Sequence, residues 1–224
     1  MKYDVIKLHG LNCVIRYPSG YEEGKKYPVI FFCHGAGSRG NNINVLLNNP
    51  CFRLTEIHED FPFVMVAPQC PGNSWFDIFE TLQRIAVEVA NADYADSERV
   101  YLMGVSMGGY GSWQLAMSRP EIFAAMAPIC GGGMYWNAGR LVNIPVWAFH
   151  GKLDTCVYPE ESEKMVKAIN ANGGNAKLTI YPDCGHDAWT YTFKNPEVFK
   201  WMLEHKNSNV KALKDLYEGA KEFG

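Results

Sequence analysis

Ser106 stands between glycines in Gly104-Val-Ser-Met-Gly-Gly109. Val100–Met103, just before it, is an apolar and aromatic run that reads as a strand, and Leu115, Ala116 and Met117 beyond it read as a helix. A serine at a sharp strand-to-helix turn has its hydroxyl lifted above the sheet, where it can attack a carbonyl carbon. Side chains at 104 and 108 would crowd the crossing strand and helix, which is what glycine avoids there. Such a hydroxyl needs a base, and the base needs a third group that fixes its tautomer. The chain offers six histidines. His9 lies near the start, His58 in a helix-like segment, His205 on a polar helix, and His150 closes a strand. His34 and His186 occupy loops that follow strands, the positions where open α/β sheets collect ligands. His186, in Tyr181-Pro-Asp-Cys-Gly-His-Asp-Ala-Trp189, fits the chain order serine, acid, histidine. Asp154 in His150-Gly-Lys-Leu-Asp154 is preferred as the acid over Asp183 and Asp187, because sequence neighbours of a histidine rarely point back at its ring.

These residues need a frame. Leu11–Tyr17, Val29–Cys33, Phe63–Ala67, Phe123–Cys130, Pro145–His150 and Lys177–Tyr181 read as further strands, and the central ones are apolar throughout, as strands buried on both faces are. Between them lie helical periodicities: short ones over Ile43–Leu47 and Phe52–Glu59, then Asp77–Ala92, with apolar residues at 78, 82, 85, 86 and 89. Glu160–Asn172 is closed by Gly173-Gly174, and Glu197–His205 follows, with a weaker stretch over 210–222. Alternating strands and helices specify an α/β fold, a mostly parallel sheet with helices on both faces. No insertion is long enough for a cap, so one domain over 1–224 is expected.

Bulk properties narrow the partners. Among 224 residues, 21 Lys and Arg stand against 24 Asp and Glu, a net charge of -3 without a basic cluster. Nucleic acid, which demands concentrated positive charge, is not an expected partner. The opening residues carry no apolar leader and the chain no membrane-length apolar run. The expectation is a cytoplasmic protein, monomer and homodimer being indistinguishable. Seven cysteines show no Cys-x-x-Cys pair, and are expected as free thiols. Cys156 and Cys184, flanking the acid and the base, are the pair nearest to disulfide geometry. Neither metal nor cofactor is expected, since no spacing such as His-Glu-x-x-His occurs.

With His34-Gly-Ala-Gly, Gly104-Val-Ser-Met-Gly-Gly, His150-Gly-Lys-Leu-Asp154 and Gly185-His186 in this order, the chain resembles the α/β-hydrolase superfamily from Leu11 to His205. Within it the chain is similar to compact bacterial phospholipase/carboxylesterase-like and feruloyl or acetyl-xylan esterase (polyhydroxybutyrate-depolymerase-like) proteins. The resemblance implies an oxyanion hole from the backbone N–H groups of Ala36 and Met107. Where many relatives carry Glu-Arg-Gly this chain has Ser38-Arg39-Gly40, so no role passes to the acidic position. Ser106 argues against the aspartate-dependent dehalogenases and the cysteine-dependent lactone hydrolases of this fold. Gln69, Trp75, Tyr135, Trp136 and Trp189 lie in loops expected near Ser106, and aromatic walls suit sugars or an aryl acid. The expected substrate is thus a small-molecule or oligosaccharide ester, with acetyl or feruloyl/cinnamoyl groups on carbohydrate. The alternatives are a broad short-chain carboxylesterase or lysophospholipase, a small serine peptidase, and a non-enzymatic hydrolase-fold binding protein.

Overall fold

The computed structural model describes residues 2–207; the helix expected over 210–222 lies outside them. Eight strands form one sheet: β1 (Tyr3–Leu8), β2 (Leu11–Arg16), β3 (Tyr27–Cys33), β4 (Val64–Pro68), β5 (Ala95–Val105), β6 (Ala125–Ile129), β7 (Val146–Gly151) and β8 (Ala176–Tyr181). Their spatial order is β1-β2-β4-β3-β5-β6-β7-β8. β1 and β2 pair antiparallel, as do β2 and β4, and every other pair is parallel. Beyond the expected strands, the structure adds β1, made by a two-residue hairpin at His9-Gly10, both with positive φ. That geometry matches the twist of the flanking strands.

The parallel part fixes where chemistry sits, because its carboxyl ends all open on one side. Helices cover both faces. Packed on one are α3 (Phe79–Ala90), α4 (Met107–Ser118) and α5 (Glu160–Ala171), through Leu82, Ile85, Trp113, Met165 and Ile169. The other carries α1 (Ile43–Leu47), α2 (Pro50–Thr55), α6 (Ala188–Lys194) and α7 (Pro196–Leu203), through Leu46, Phe52, Phe193, Phe199 and Met202. β3 shows the two-residue period that separates them: Val29 and Phe31 join the first layer, Ile30 and Phe32 the second. Each such side chain contributes roughly 1.5–3 kcal/mol by leaving water. Pro50 begins α2, two residues before the expected Phe52, behind an Asn49 cap, a position where its missing N–H costs nothing. Among the described residues no domain caps the carboxyl ends of the strands, and no helix is long and apolar enough to cross a membrane. All seven cysteines are thiols, Cys156 exposed and the other six buried.

Candidate active site

Ser106 joins β5 to α4 with φ 55° and ψ −118°, a region that costs a non-glycine residue of order 1–3 kcal/mol. The surroundings enforce it. Ser106 N–H donates to the Ile129 carbonyl at 3.0 Å, and α4 lies so close to β3 that a Cβ at Gly108 would overlap the Cys33 carbonyl. Ser106 therefore leaves the sheet at its carboxyl edge with Oγ facing the cleft.

The base and acid come from neighbouring loops tied backbone to backbone. After β7, Lys152 N–H donates to Tyr181 O (2.8 Å) and Leu153 N–H to Cys184 O (2.9 Å). These bonds set Asp154 against His186: His186 Nδ1 lies 2.7 Å from Asp154 Oδ2, and Nε2 lies 2.9 Å from Ser106 Oγ. Asp154 is 3% exposed, and its Oδ1 accepts the N–H groups of Cys156 and Val157 at 2.9 and 3.0 Å. Burial by itself raises a carboxyl pKa; the bond from His186 and the two backbone donors outweigh it and hold Asp154 below the usual carboxylate value. The acid thus stays ionised where a neutral carboxyl could not orient the ring. Trp189, in the first turn of α6, stands edge-on to His186 with ring centroids 5.5 Å apart.

Ala36 opens a 3-10 turn after β3, and Met107 is the first residue of α4. Neither N–H has a carbonyl one turn back within its own helix. The loop that carries Ala36 is held by buried polar groups. His34 Nε2 accepts Cys70 N–H (2.9 Å), which leaves Nδ1 as the donor to Gly35 O (2.7 Å). Burial lowers the His34 pKa to about 4, so the ring is neutral and keeps this tautomer. Arg39 spans from Ala36 O to Asn73 O.

Two residues expected against substrate are part of this support instead. Trp75 is 0% exposed; its Nε1–H donates to His34 O at 3.0 Å and its ring packs on Gly111. Gln69 is 1% exposed, its amide nitrogen donating to Ser38 O and Asn42 O. Both therefore support the loop that carries Ala36 from behind and present no surface to a ligand. Tyr135 and Trp136 are exposed, in a 3-10 turn after β6, and neither lines the cleft at Ser106. Met134, just before them, lines a separate groove with Phe76, Phe79 and Tyr110.

The cleft at Ser106 encloses about 730 Å³. One side is Gly35–Ser38, Ser106, His186 and Trp189; the other, absent from the sequence expectation, is Asn44, Val45, Asn48, Asn49, Pro50 and Cys51 of the α1–α2 segment. Asn49 Nδ2 donates to Ser38 Oγ at 2.9 Å and so joins the two sides. The signal for this wall was the Asn-Asn-Pro sequence that interrupts two short helices directly after the glycine loop. Donor atoms of Cys130, Asp154 and His186 lie within 4.8 Å of one another, but the last two already bond each other. The arrangement lets a hydroxyl pass its proton to an imidazole whose other nitrogen is held by an ionised carboxylate.

The sequence matches the dienelactone hydrolase family over residues 73–222. Among curated proteins it is similar to endo-1,4-beta-xylanase Y of Acetivibrio thermocellus, 23% identical over 81% of this chain and 17% of that protein. Dipeptidyl-peptidase 5 of Porphyromonas gingivalis is 20% identical over 81% of this chain and 33% of its own length. The protein described as probable feruloyl esterase C of Aspergillus terreus is 26% identical over 76% of this chain and 64% of its own. The chain thus spans a minor part of the first two. Among solved structures, a thermostable esterase superposes with a TM-score of 0.72 at 30% identity, over 92% of this chain and 63% of that one. Est1E from Butyrivibrio proteoclasticus does so with 0.69 at 16% identity, over 91% and 98%. Although Ser106 argued against the cysteine-dependent lactone hydrolases, the family is the one named for a lactone substrate. With the match covering most of the chain, the sheet order and the elbow all in agreement, this α/β-hydrolase belongs to the dienelactone hydrolase family.

Proposed function

We propose that the protein is a serine carboxylic-ester hydrolase, acting as one uncapped hydrolase domain. The observation that carries this reading is the bonded series Ser106 Oγ, His186 Nε2, His186 Nδ1 and Asp154 Oδ2 at 2.9 and 2.7 Å, opening on a cleft. In the proposed reaction Ser106 Oγ attacks the ester carbonyl as its proton passes to His186 Nε2. The oxyanion forms against the N–H groups of Ala36 and Met107, each worth about 3 kcal/mol at such sites. His186, as an imidazolium beside ionised Asp154, protonates the departing alcohol. Water then gives a proton to His186 as its oxygen attacks the acyl carbon, and that proton passes to Ser106 Oγ as the bond to serine breaks and the acid leaves.

For the substrate we infer carbohydrate-linked esters of acetyl or feruloyl/cinnamoyl type. The relative described as a feruloyl esterase supports this reading, as does the similarity to a xylanase chain. A cleft of about 730 Å³, flanked by Trp189 and asparagine amides, suits an aryl acyl group with polar substituents within the usual 300–1,000 Å³ of ligand sites. Tyr135 and Trp136 enter this reading only as exposed surface beyond the cleft. The test is kcat/KM over methyl ferulate, acetylated xylooligosaccharide, p-nitrophenyl esters from acetate to dodecanoate, a lysophospholipid and a peptide amide, for wild type and Ser106→Ala. The expected result is ester turnover that falls at least about a thousandfold in Ser106→Ala, with ferulate or acetyl-xylooligosaccharide preferred. Preference by more than about tenfold for long-chain esters would overturn the substrate class. Undiminished turnover in Ser106→Ala would overturn the mechanism.

A further inference from the structure

The cleft at Ser106 takes the acyl group in the reaction above, and the alcohol half of the ester is left without a site. Helix α4 points to one. All its residues are buried except Met107, Tyr110, Gln114 and Ser118, which are half-buried and recur every three or four positions, so they form one stripe along the helix. The stripe starts beside the nucleophile, where Tyr110 N–H donates to Ser106 O at 3.1 Å. Tyr110 and Gln114 stand about 6 and 12 Å along the axis from Ser106.

Over this stripe runs the second groove, about 510 Å³, lined by Phe76, Phe79 and Met134 together with Tyr110 and Gln114. Its parts are fixed before any ligand arrives. Phe76 sits in a 3-10 turn closed by a capping box, the N–H groups of Asn73 and Ser74 each donating to Asp77 Oδ2 at 2.9 Å. Buried Trp75 packs on Gly111 and fastens that turn to α4. Phe76 is thereby held out at 53% exposure, its ring centroid 6.5 Å from that of Phe79. From the loop after β6, Gly132 lies against the Tyr110 ring and Glu161, where any Cβ would overlap the Glu161 side chain. The residues lining the groove are uncharged. Its polar side-chain groups are the Tyr110 hydroxyl and the Gln114 amide, whose Nε2 donates to Ser118 Oγ at 3.1 Å. Burial, and then the carboxylates of Glu161 and Asp154, push the Tyr110 phenol up, so it stays neutral and can both donate and accept.

We propose that this groove is the alcohol-side subsite, taking the glycosyl chain of a carbohydrate-linked ester whose acyl group occupies the cleft at Ser106. The proposal rests on the carbohydrate-ester reading given above and gives its leaving half a place. A pyranose presents C–H bonds on its faces and hydroxyls around its rim, which aromatic faces with a phenol and an amide beside them complement. A phosphate headgroup would meet no cation among the lining residues. A fatty alcohol would cover the Tyr110 hydroxyl and the Gln114 amide with methylenes that cannot bond them. A methyl alcohol is too short to reach past Tyr110, so the groove acts only on esters of extended alcohols. Because its walls are rigid, little ordering opposes binding there.

The test compares kcat/KM for feruloylated xylotriose and methyl ferulate, and titrates free xylotriose into protein labelled with methyl-¹³C methionine. Wild type is expected to prefer the xylotriose ester by at least about tenfold. In Phe76→Ala and Gln114→Leu that preference is expected to fall at least about fivefold, with methyl ferulate unchanged within about twofold. Phe76 is half exposed, so Phe76→Ala is expected to melt with wild type. Xylotriose is expected to shift the methyl signal of Met134, assigned by its loss in Met134→Leu, and to leave it in place in Phe76→Ala. A preference that survives both substitutions, or a Met134 signal moved by decanol and not by xylotriose, would overturn the subsite. The two readings fail separately. Turnover of methyl ferulate with no preference for the xylotriose ester would overturn the subsite and leave the esterase standing. Absence of turnover on every ester would overturn the proposed function, and this inference with it.

Discussion

The two sides of the cleft are built differently. On the Ser106 side, chemistry follows from backbone that cannot be arranged otherwise: Gly108 against the Cys33 carbonyl, Ser106 at φ 55°, and the Asp154 and His186 loops bonded main chain to main chain. On the α1–α2 side, Asn44 and Val45 stand on a five-residue helix and Asn48 directly after it. The first side is held by backbone packed and bonded against backbone; the second depends on how one short helix packs. Mutations on the first should therefore abolish folding or turnover, and on the second should redistribute specificity.

The largest expected effect is at the crossing. Gly108→Ala places a methyl inside the Cys33 carbonyl, and we expect a loss of at least about 4 kcal/mol of stability or no folded protein at all, read by urea denaturation. A folded variant of near wild-type stability would mean that strand and helix have slack.

The two tryptophans sharpen the comparison. Trp75→Ala empties a fully buried site, with an expected cost of about 3–5 kcal/mol, whereas Trp189→Ala is expected to leave the melting temperature nearly unchanged and lower kcat/KM for aryl esters about tenfold. Thermal melts and a matched ester series check both. The opposite pattern would exchange the roles of support and wall.

This contrast explains what could be read in the sequence. Ser106, Asp154 and His186 stand in short motifs whose neighbours are part of the geometry, and a strand and loop around each were recognisable. Trp75 and Gln69 lie in the expected loop, but whether a loop side chain turns inward depends on buried partners, here His34 O and the carbonyls of Ser38 and Asn42. No spacing encodes that. Helix α6 escaped for a different reason: Asp187 was weighed only as a rival acid, although its carboxylate caps Thr190 N–H and starts the helix. Strand β1 and its His9-Gly10 turn were absent from the strands read in the sequence, which began at Leu11.

His34 gives a pH prediction on the rigid side. Its folded pKa of about 4 lies below the ordinary 6.5, so the unfolded chain takes up this proton first. Stability is then full above pH 6.5 and is lost as pH falls toward 4, by about 3 kcal/mol if His34 acts alone. Denaturation at a series of pH values should show this slope, flattened in His34→Gln; an equal slope in the variant would assign it to other groups.

The smallest expected effect on stability belongs to Val45, 39% exposed on the α1 wall. Val45→Trp is expected to change stability by less than about 0.5 kcal/mol while lowering kcat/KM for ferulate esters about tenfold and sparing acetate. Equal losses on both esters would mean that the acyl group does not lie toward α1.

The most direct measurement is intact and peptide mass spectrometry of the protein quenched in acid during turnover of p-nitrophenyl acetate. The account predicts one acetyl group per chain, on the peptide containing Ser106, accumulating further in Asp154→Asn if deacylation slows more than acylation, and absent from Ser106→Ala. An acetyl group on Cys51, Cys130 or any other side chain with Ser106 unmodified, or turnover that persists in Ser106→Ala, would contradict it.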